Sequence, residues 1–213
     1  MTPDLFADQE RYLQLAPGAA LLRGFALPAQ DALWQALQQV IAAAPWRRME
    51  TPGGRSMSVA MSNCGALGWV SDRRGYRYDA IDPGSGRPWP SMPAAFTALA
   101  RSAAAAAGYP GFEPDACLIN RYQPGARMSL HQDKNERDFD APIVSVSLGL
   151  PATFLLGGLS RAERPLRVPL AHGDVAVWGG PARLRYHGVL PVEAGVHPLT
   201  GECRINLTLR RAG

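Results

Sequence analysis

The first residues in this sequence that could do chemistry are a histidine and an aspartate two positions apart, His131 and Asp133. Residues two apart on an extended strand point to the same face, so an imidazole and a carboxylate can converge on one ion. His187, about fifty residues downstream, is the candidate third ligand. Two histidines and a carboxylate on one face of an octahedron leave three positions open for other ligands. The same ligands would also suit a hydrolytic zinc ion.

A second triplet of this kind, His172-Gly-Asp174, precedes an apolar segment that is typical of a strand. Asp and Gly are ordinary turn residues, and too little chain follows to return a distant third ligand. We therefore interpret His172 and Asp174 as turn residues, and His197, which proline follows, as a loop residue.

The C-terminal segment Arg204–Arg210 alternates strictly between polar and apolar residues, which predicts a strand with one face in the core. Its polar face carries Arg204, Asn206 and Arg210. A solvent-facing polar side is the ordinary alternative. Two arginines bracketing an asparagine favour a dicarboxylate ligand instead, because each guanidinium can bind a carboxylate through two hydrogen bonds.

Upstream of the first triplet, Asn120 and Tyr122 share one face of another predicted strand. They could donate further hydrogen bonds to the same dicarboxylate.

The length and composition predict one globular domain, residues 1–213. No apolar run reaches the about 20 residues that span a bilayer, and residues 1–8 lack the pattern of a signal peptide. We therefore expect a cytoplasmic protein, by default a monomer. The three cysteines are far apart and form no CxxC pair, which predicts reduced thiols packed in the core.

The formal net charge is +4, and Lys134 is the only lysine. Arginine suits phosphate recognition, but a bias of genome composition would produce the same excess, so the charge alone does not identify a nucleic-acid-binding protein.

The elements that must position these residues form an α+β pattern. Helices are predicted over Pro28–Ala44 and Met92–Ala107, and a short strand over Ala19–Arg23. Residues 46–90 show no sustained period and are predicted to be a binding loop or lid. From residue 114 onward the pattern is typical of a β-sandwich or barrel. Its predicted strands are Ala116–Tyr122, Ile143–Leu150, Thr153–Leu156, Leu166–Leu170, Val175–Trp178, Arg185–His187 and Arg204–Arg210.

These motifs together resemble the bacterial AlkB DNA-repair dioxygenases. The resemblance rests on Asn120-Arg-Tyr-Gln-Pro-Gly, His131-Gln-Asp, Ile143–Gly149, His172-Gly-Asp-Val, Tyr186-His-Gly and Arg204–Arg210, and continues upstream through Thr51-Pro-Gly-Gly and Met57–Gly65. The spacing Arg-x-Asn-x-x-x-Arg in the last strand is the most specific element.

The resemblance implies a double-stranded β-helix (jelly-roll) core over residues 114–213, N-terminal helices that buttress it, and a nucleotide-recognition lid over residues 46–90. It implies Fe(II), bound by His131, Asp133 and His187, and 2-oxoglutarate as co-substrate. Arg204 would hold the distal carboxylate of 2-oxoglutarate. Asn120, Tyr122, Asn206 and Arg210 would complete that site.

The activity that the resemblance implies is oxidative removal of alkyl groups from base nitrogens such as those of N1-methyladenine and N3-methylcytosine, with release of formaldehyde, succinate and CO2. The partner would be alkylated single-stranded DNA, with double-stranded DNA and RNA as further options. A base must leave the stack for such chemistry. Trp69 would stack on it against His131, Thr51 and Tyr76 would contact the backbone, and Arg161 would touch the substrate from the other side. Met57, Met61, Arg73, Arg74 and Arg77 are further candidates within the lid.

One position departs from the family pattern. The family commonly has an aspartate just after the His-x-Asp triplet, where this sequence has Asn135. A carboxylate would favour cationic bases, so we expect a weaker preference for them here.

The alternatives to a nucleic-acid dioxygenase are an oxygenase of another substrate class, a non-catalytic binding module and a zinc hydrolase. A zinc hydrolase would leave Arg204 and Arg210 unexplained.

Overall fold

A computed structural model of the protein describes residues 11–213. Residues 1–8, on which the expected lack of a signal peptide rests, lie outside the described residues. The described chain is mostly β-strand, with two α-helices. The helices are α1 (Gln30–Ala43) and α2 (Ala94–Ala106). The strands are β1 (Tyr12–Ala16), β2 (Ala19–Leu22), β3 (Arg47–Glu50), β4 (Ser56–Gly65), β5 (Gly68–Asp72), β6 (Gly75–Asp79), β7 (Ala116–Tyr122), β8 (Met128–His131), β9 (Ile143–Gly149), β10 (Ala152–Leu156), β11 (Leu166–Leu170), β12 (Val175–Trp178), β13 (His187–Val189) and β14 (Arg204–Arg210).

The strands of the described chain form three sheets. A large sheet has the order β1-β2-β12-β9-β14-β7-β4-β3, a smaller one has the order β11-β10-β13-β8, and β5 pairs with β6 as a hairpin. Strand β14 lies near the middle of the large sheet, antiparallel to both β7 and β9. Its alternating sequence therefore projects side chains into both faces of a sheet that is covered on each side.

Two hydrophobic cores lie on the two faces of the large sheet. On one face, Ile205, Leu207 and Leu209 pack with the buried stripes of α1 and α2. The stripe of α1 recurs at helical spacing through Leu33, Leu37 and Val40, and the helix ends just before Pro45.

The second core lies between the large sheet and the four-stranded sheet. Tyr122 and Trp178 from the large sheet pack there with Phe154, Leu156 and Val189 from the smaller sheet. Functional side chains on β7 and β14 that point away from the helices therefore point towards β8 and β13.

The prediction that residues 46–90 form an element-free loop is wrong in part. This segment contains β3, β4, β5 and β6, and β4 is a ten-residue strand paired with β7 in the large sheet. The error arises because the buried part of β4 runs from apolar residues into the buried polar Ser62 and Asn63 and carries no alternation, while β5 and β6 are short and rich in Gly, Arg and Asp.

Other differences concern element limits. Strands β1 and β8 were not among the predicted strands, α2 begins at Ala94 rather than Met92, and β13 begins at His187 instead of ending there. The strand limits depend on pairing partners, which a local sequence pattern does not reveal.

The β5–β6 hairpin is attached to the rest of the protein by Trp89. Its indole Nε1 donates to the Asp79 carbonyl at 2.9 Å, and its ring packs so closely on Gly68 that a Cβ there would clash with it. Glycine is thus required at the start of β5 by close packing.

The three cysteines are free thiols, with Cys64 and Cys117 buried and Cys203 half-buried. None of the helices in the described part of the chain has the length and apolar character needed to cross a membrane.

The position of Leu207 between the helices and the large sheet leads to a stability prediction. Leu207 is fully buried, so Leu207→Ala should lower the free energy of unfolding by about 2–5 kcal/mol through lost burial and a residual cavity. Leu166→Ala, at an exposed position of β11, should change it by less than about 0.5 kcal/mol. Urea denaturation followed by circular dichroism measures both. Equal losses would contradict this account of the core.

Candidate metal centre and co-substrate site

The structure brings His131, Asp133 and His187 together. One candidate ligand atom from each lies within 4.8 Å of the other two. The imidazole Nε2 of His131 is 3.6 Å from Asp133 Oδ1, and that of His187 is 3.5 Å from Asp133 Oδ2. One carboxylate thus faces two imidazole nitrogens, which is a donor set that suits a divalent transition metal.

Two strands of the smaller sheet set this arrangement. His131 is the last residue of β8, His187 is the first residue of β13, and the two lie directly opposite each other in the antiparallel register. Asp133 lies two residues beyond the end of β8, on the following loop, and not on one extended strand with His131 as the same-face argument assumed. Gln132 points elsewhere and donates to the Leu184 carbonyl at 2.6 Å.

Backbone carbonyls orient both imidazoles. Nδ1 of His131 lies 2.8 Å from the Ser129 carbonyl, and Nδ1 of His187 lies 3.1 Å from the Arg185 carbonyl. A carbonyl only accepts hydrogen bonds, so each Nδ1 carries the proton and each Nε2 keeps its lone pair for a metal. Burial and the neighbouring His187 lower the pKa of His131 to about 4, which keeps this ring neutral near pH 7.

Arg210 holds the carboxylate of Asp133 in its ionised form. Its Nε and Nη2 both donate to Asp133 Oδ2, at 3.0 and 2.6 Å. Burial by itself raises the pKa of the Asp133 carboxyl, but Arg210 and the two histidines outweigh it and hold this pKa well below its usual range. For Arg210, burial by itself lowers the pKa of the guanidinium, but the neighbouring Asp133 outweighs burial and holds this pKa above its usual value. The ligand is therefore charged and fixed before a metal binds.

The other predicted co-substrate residues form a polar row on the inner face of β7 and β14. Asn206 lies opposite Asn120, and Arg204 lies opposite Tyr122. The Asn120 amide donates to Asn206 Oδ1 at 3.3 Å, and the Arg204 guanidinium stacks on the Tyr122 ring 5.1 Å from its centre.

The guanidinium of Arg204 has N–H donors available for a ligand. Its side chain is almost fully buried, and Nη2 donates to the Ser147 hydroxyl at 2.9 Å. Nε and Nη1 of Arg204, and Oδ1 of Asn120, are buried and have no hydrogen-bond partner among residues 11–213. A buried guanidinium with two unpaired N–H donors is costly unless a ligand pairs with it, and a carboxylate is the group that matches its fork. These residues therefore fit a carboxylate co-substrate, and the histidine–aspartate set fits its metal.

The two arginines of β14 differ in their surroundings. Arg210, which the sequence groups with the co-substrate residues, is paired with Asp133 and lies 3.4 Å from Glu136 through Nε. Arg204 is the one with uncommitted donors. The structure therefore favours Arg204 as the main carboxylate anchor and places Arg210 against the metal ligand.

The predicted substrate residues Trp69 and Tyr76 lie on one face of the β5–β6 hairpin. Their rings stack with centres 5.6 Å apart and planes 15° from parallel. Asn63 fixes Trp69 through two hydrogen bonds, accepting from its backbone N–H and donating to its carbonyl, both at 3.0 Å. The Trp69 indole N–H reaches Asn135 Oδ1 at 3.4 Å, which joins the hairpin to the loop that follows Asp133.

The remaining substrate candidates are spread around this region. Met61 is buried beside Asn120 in the pairing of β4 with β7, and Thr51 lies in a turn where its hydroxyl accepts from the Arg55 N–H. Arg161 is exposed and donates to the carbonyl of Leu130, next to His131.

Two of the arginines predicted to contact phosphates are already in ion pairs. Arg77 and Arg74 both bind Asp72, at 2.9 and 3.3 Å. Arg73 and Met57 lie on the same segment, exposed and half-buried respectively.

The second His-x-Asp triplet lies in a turn, as predicted. Asp174 accepts from Arg23 and from the N–H of Gly24, and His172 Nδ1 accepts from the N–H of Gly149.

Sequence reasoning missed the second layer around Asp133. Glu136 and Arg183 are buried next to it, and Tyr78 donates to Glu136. The signal that could have found Glu136 is a carboxylate three residues after a metal ligand, but nothing local shows that it is buried.

Comparisons with known proteins agree with this geometry. A family model described as "2OG-Fe(II) oxygenase superfamily" matches residues 18–210. The chain is 59% identical over 211 residues to the alpha-ketoglutarate-dependent dioxygenase AlkB of Escherichia coli, covering 99% of this chain and 98% of that protein.

More distant relatives are similar as well. The nucleic acid dioxygenase ALKBH1 of Mus musculus is 35% identical over 137 residues, covering 64% of this chain and 34% of that protein. The solved structure of OsALKBH1 superimposes with a TM-score of 0.81 at 28% identity, covering 94% of this chain and 99% of that one.

The unpaired donors of Arg204 lead to a binding prediction. Arg204→Lys keeps the charge but loses the fork, so the dissociation constant for 2-oxoglutarate should rise about tenfold or more. Anaerobic calorimetric titration of the Mn(II)-loaded protein measures it. Arg101→Lys, in an exposed ion pair with Glu113, is the matched control and should leave the constant unchanged. An unaltered affinity in Arg204→Lys would remove Arg204 from the site.

Proposed function

This chain belongs to the 2OG-Fe(II) oxygenase superfamily, and we propose that it oxidatively removes methyl and other alkyl groups from base nitrogens in nucleic acid. It is an Fe(II)- and 2-oxoglutarate-dependent dioxygenase, as its close similarity to AlkB of Escherichia coli shows.

The observation that carries this proposal is the stacked Trp69–Tyr76 pair, joined through Asn135 to the loop that bears Asp133. An enzyme that works on a base must take it out of the stack and hold it between flat side chains, with hydrogen bonds to its edge. Trp69 offers a flat face that Asn63 holds in place, and Asn135 offers an amide close by. The similarity to a nucleic acid dioxygenase of Mus musculus supports the same substrate class.

We assign the metal to His131, Asp133 and His187, and the co-substrate to Asn120, Tyr122, Arg204 and Asn206, with Arg210 acting on Asp133. Thr51, Met61, Trp69, Tyr76, Asn135 and Arg161 are assigned to the nucleic acid. Three observations support this assignment. The three candidate metal ligands meet at one point, and Arg204 has buried donors without a partner among the described residues. Trp69 reaches Asn135, on the loop that bears Asp133.

We also assign the two facing sheets to a double-stranded β-helix with catalytic residues over 114–213, with α1 and α2 as its outer support and residues 46–90 as the recognition lid. The whole chain would be one dioxygenase domain. The shared core between the two sheets and the packing of both helices on the large sheet support this division.

When bound, Fe(II) with 2-oxoglutarate and O2 supplies the oxidation of the N-methyl C–H bond, after which the hydroxymethyl group leaves as formaldehyde and the other products are succinate and CO2. The protein's residues make that oxidation selective. Arg204 and Asn120 orient the co-substrate, Trp69 and Asn135 orient the base, and the apolar packing of Phe154 and Trp178 against His187 limits water on that side.

The same proposal covers the partner and the place of action. We assign the enzyme to single-stranded DNA in the cytoplasm, as a monomer, with double-stranded DNA and RNA as further substrates. An unpaired strand lets a base reach Trp69 at the lowest unstacking cost. One chain supplies all three candidate metal ligands and the arginine row, so the site is complete without a second copy.

A product assay tests the proposed activity. With Fe(II), 2-oxoglutarate and O2, the protein should release formaldehyde from an oligonucleotide that carries N1-methyladenine, and His131→Ala should reduce the rate at least about a hundredfold through loss of a metal ligand. His197→Ala, a histidine outside the site, is the control and should keep the rate. Succinate formation without formaldehyde would mean that 2-oxoglutarate is consumed without oxidation of the N-methyl group, which would contradict the proposed substrate class.

The identity of residue 135 leads to a prediction about lesion preference. Asn135 keeps an oxygen that accepts from Trp69 but has no charge to offer to a cationic base. Asn135→Asp should therefore raise the ratio of repair rates for N1-methyladenine over the neutral N1-methylguanine by about fivefold, because charge-assisted hydrogen bonds are roughly twice as strong as neutral ones. Mass spectrometry of paired oligonucleotides measures the ratio. The same ratio in both proteins would rule out this role.

A further inference from the structure

Glu136 is a buried carboxylate that neither the metal site nor the substrate surface uses directly. It lies three residues after Asp133 and is about 5% exposed. The Tyr78 hydroxyl donates to its Oε1 at 2.7 Å. Nε of Arg210 lies 3.4 Å from the same oxygen, and Nη2 of Arg183 lies 3.2 Å from Oε2. One carboxylate therefore faces two guanidiniums and a phenol.

The same two guanidiniums hold Asp133. Arg210 binds its carboxylate through Nε and Nη2, while Nη1 of Arg183 donates to its backbone carbonyl at 2.8 Å. A second hydrogen bond from Arg183, at 3.2 Å to the Ala141 carbonyl, fixes the far side of the loop. The side chain and the main chain of Asp133 are thus both positioned by groups that meet at Glu136.

The charges show why a carboxylate is needed there. Asp133 and Glu136 carry two negative charges, and Arg183 and Arg210 carry two positive ones. Glu136, Arg183 and Arg210 are buried, and Asp133 is half-buried against them. A neutral residue at position 136 would leave an uncompensated guanidinium next to the metal site. That guanidinium would repel a divalent cation and would be free to turn away from Asp133.

We propose that Glu136, oriented by the Tyr78 hydroxyl, is a positioning residue for the metal ligand Asp133 and sets the affinity of the site for its divalent cation. It acts through Arg210 and Arg183 and touches neither the metal nor the substrate. The inference rests on the metal role of Asp133 and not on which substrate the enzyme oxidises.

Tyr78 connects this buried cluster to the β5–β6 hairpin. It lies directly opposite Trp69 in the pairing of β5 with β6, so the two side chains leave the same face. Its hydroxyl is the hairpin's hydrogen bond to the buried cluster around Asp133.

The test is the dissociation constant for Mn(II), measured anaerobically by electron paramagnetic resonance with 2-oxoglutarate present and no nucleic acid. Glu136→Gln should weaken Mn(II) binding at least about tenfold, as is usual for groups that orient metal ligands. Tyr78→Phe, which loses only the hydroxyl, should weaken it about threefold. Glu113→Gln and Tyr12→Phe, two exposed positions away from the cluster, are the matched controls and should bind Mn(II) as the unsubstituted protein does.

A second readout separates positioning from a merely structural role. In turnover without a second substrate, with ascorbate as the reductant that consumes the remaining oxidising equivalent, raising the Fe(II) concentration should restore the formation of succinate by Glu136→Gln. Its KM for 2-oxoglutarate should stay within about twofold once metal is saturating. Mn(II) constants within about twofold of the unsubstituted protein in both variants would overturn the proposal. So would a loss of succinate formation that added Fe(II) does not restore. If Glu136→Gln does not fold, the Mn(II) dissociation constant of Tyr78→Phe alone tests the proposal, and a value within about twofold of the unsubstituted protein would overturn it. None of these measurements uses nucleic acid, so a failure of the proposed nucleobase activity would leave their meaning unchanged.

Discussion

The ion pair between Asp133 and Arg210 is the interaction on which the rest of the site depends. A metal-binding carboxylate has to stay ionised after it leaves water, and burial alone would favour its neutral form. Arg210 reverses this balance with two hydrogen bonds to one oxygen. The second oxygen stays directed at His131. Charge, direction and burial of the ligand therefore follow from the register that places the end of β14 beneath the loop after β8.

Strand β14 can supply that guanidinium because it lies between two cores. Its apolar side chains bind the large sheet to the helices, while its polar side chains line the space between the sheets. Both arginines on the polar side are buried, so each needs a partner. Arg210 finds Asp133 within the protein. Arg204 keeps two donors that no group in the described part of the chain accepts, and so retains its capacity to bind a carboxylate from outside. The stability of the strand and the chemistry of the site thus use opposite faces of the same seven residues.

The alternation of β14 and the spacing of His131 and Asp133 could be read from the sequence because they are local patterns. The meeting of His187 with His131 could only be guessed, since it depends on the pairing of β8 with β13. Arg183 gave no local signal, and Glu136 gave only its spacing of three residues from Asp133. Each looks like a surface charge until the fold buries it against the other. Segment 46–90 was misjudged for a related reason: β4 takes its strand conformation from the neighbouring β7, and its own pattern does not show it.

The buried cluster also connects the β5–β6 hairpin with the candidate metal centre. The hairpin that bears Trp69 and Tyr76 is bound to the core by the Trp89 indole at one point and reaches the charged cluster through Tyr78. Trp69 itself touches the loop after Asp133 through Asn135. Under the proposed function, a base that stacks on Trp69 would lie next to the same loop that Arg183 and Glu136 hold. A change in metal affinity that substrate binding causes through this loop would be matched by an equal change in substrate affinity on metal binding, because such coupling is reciprocal.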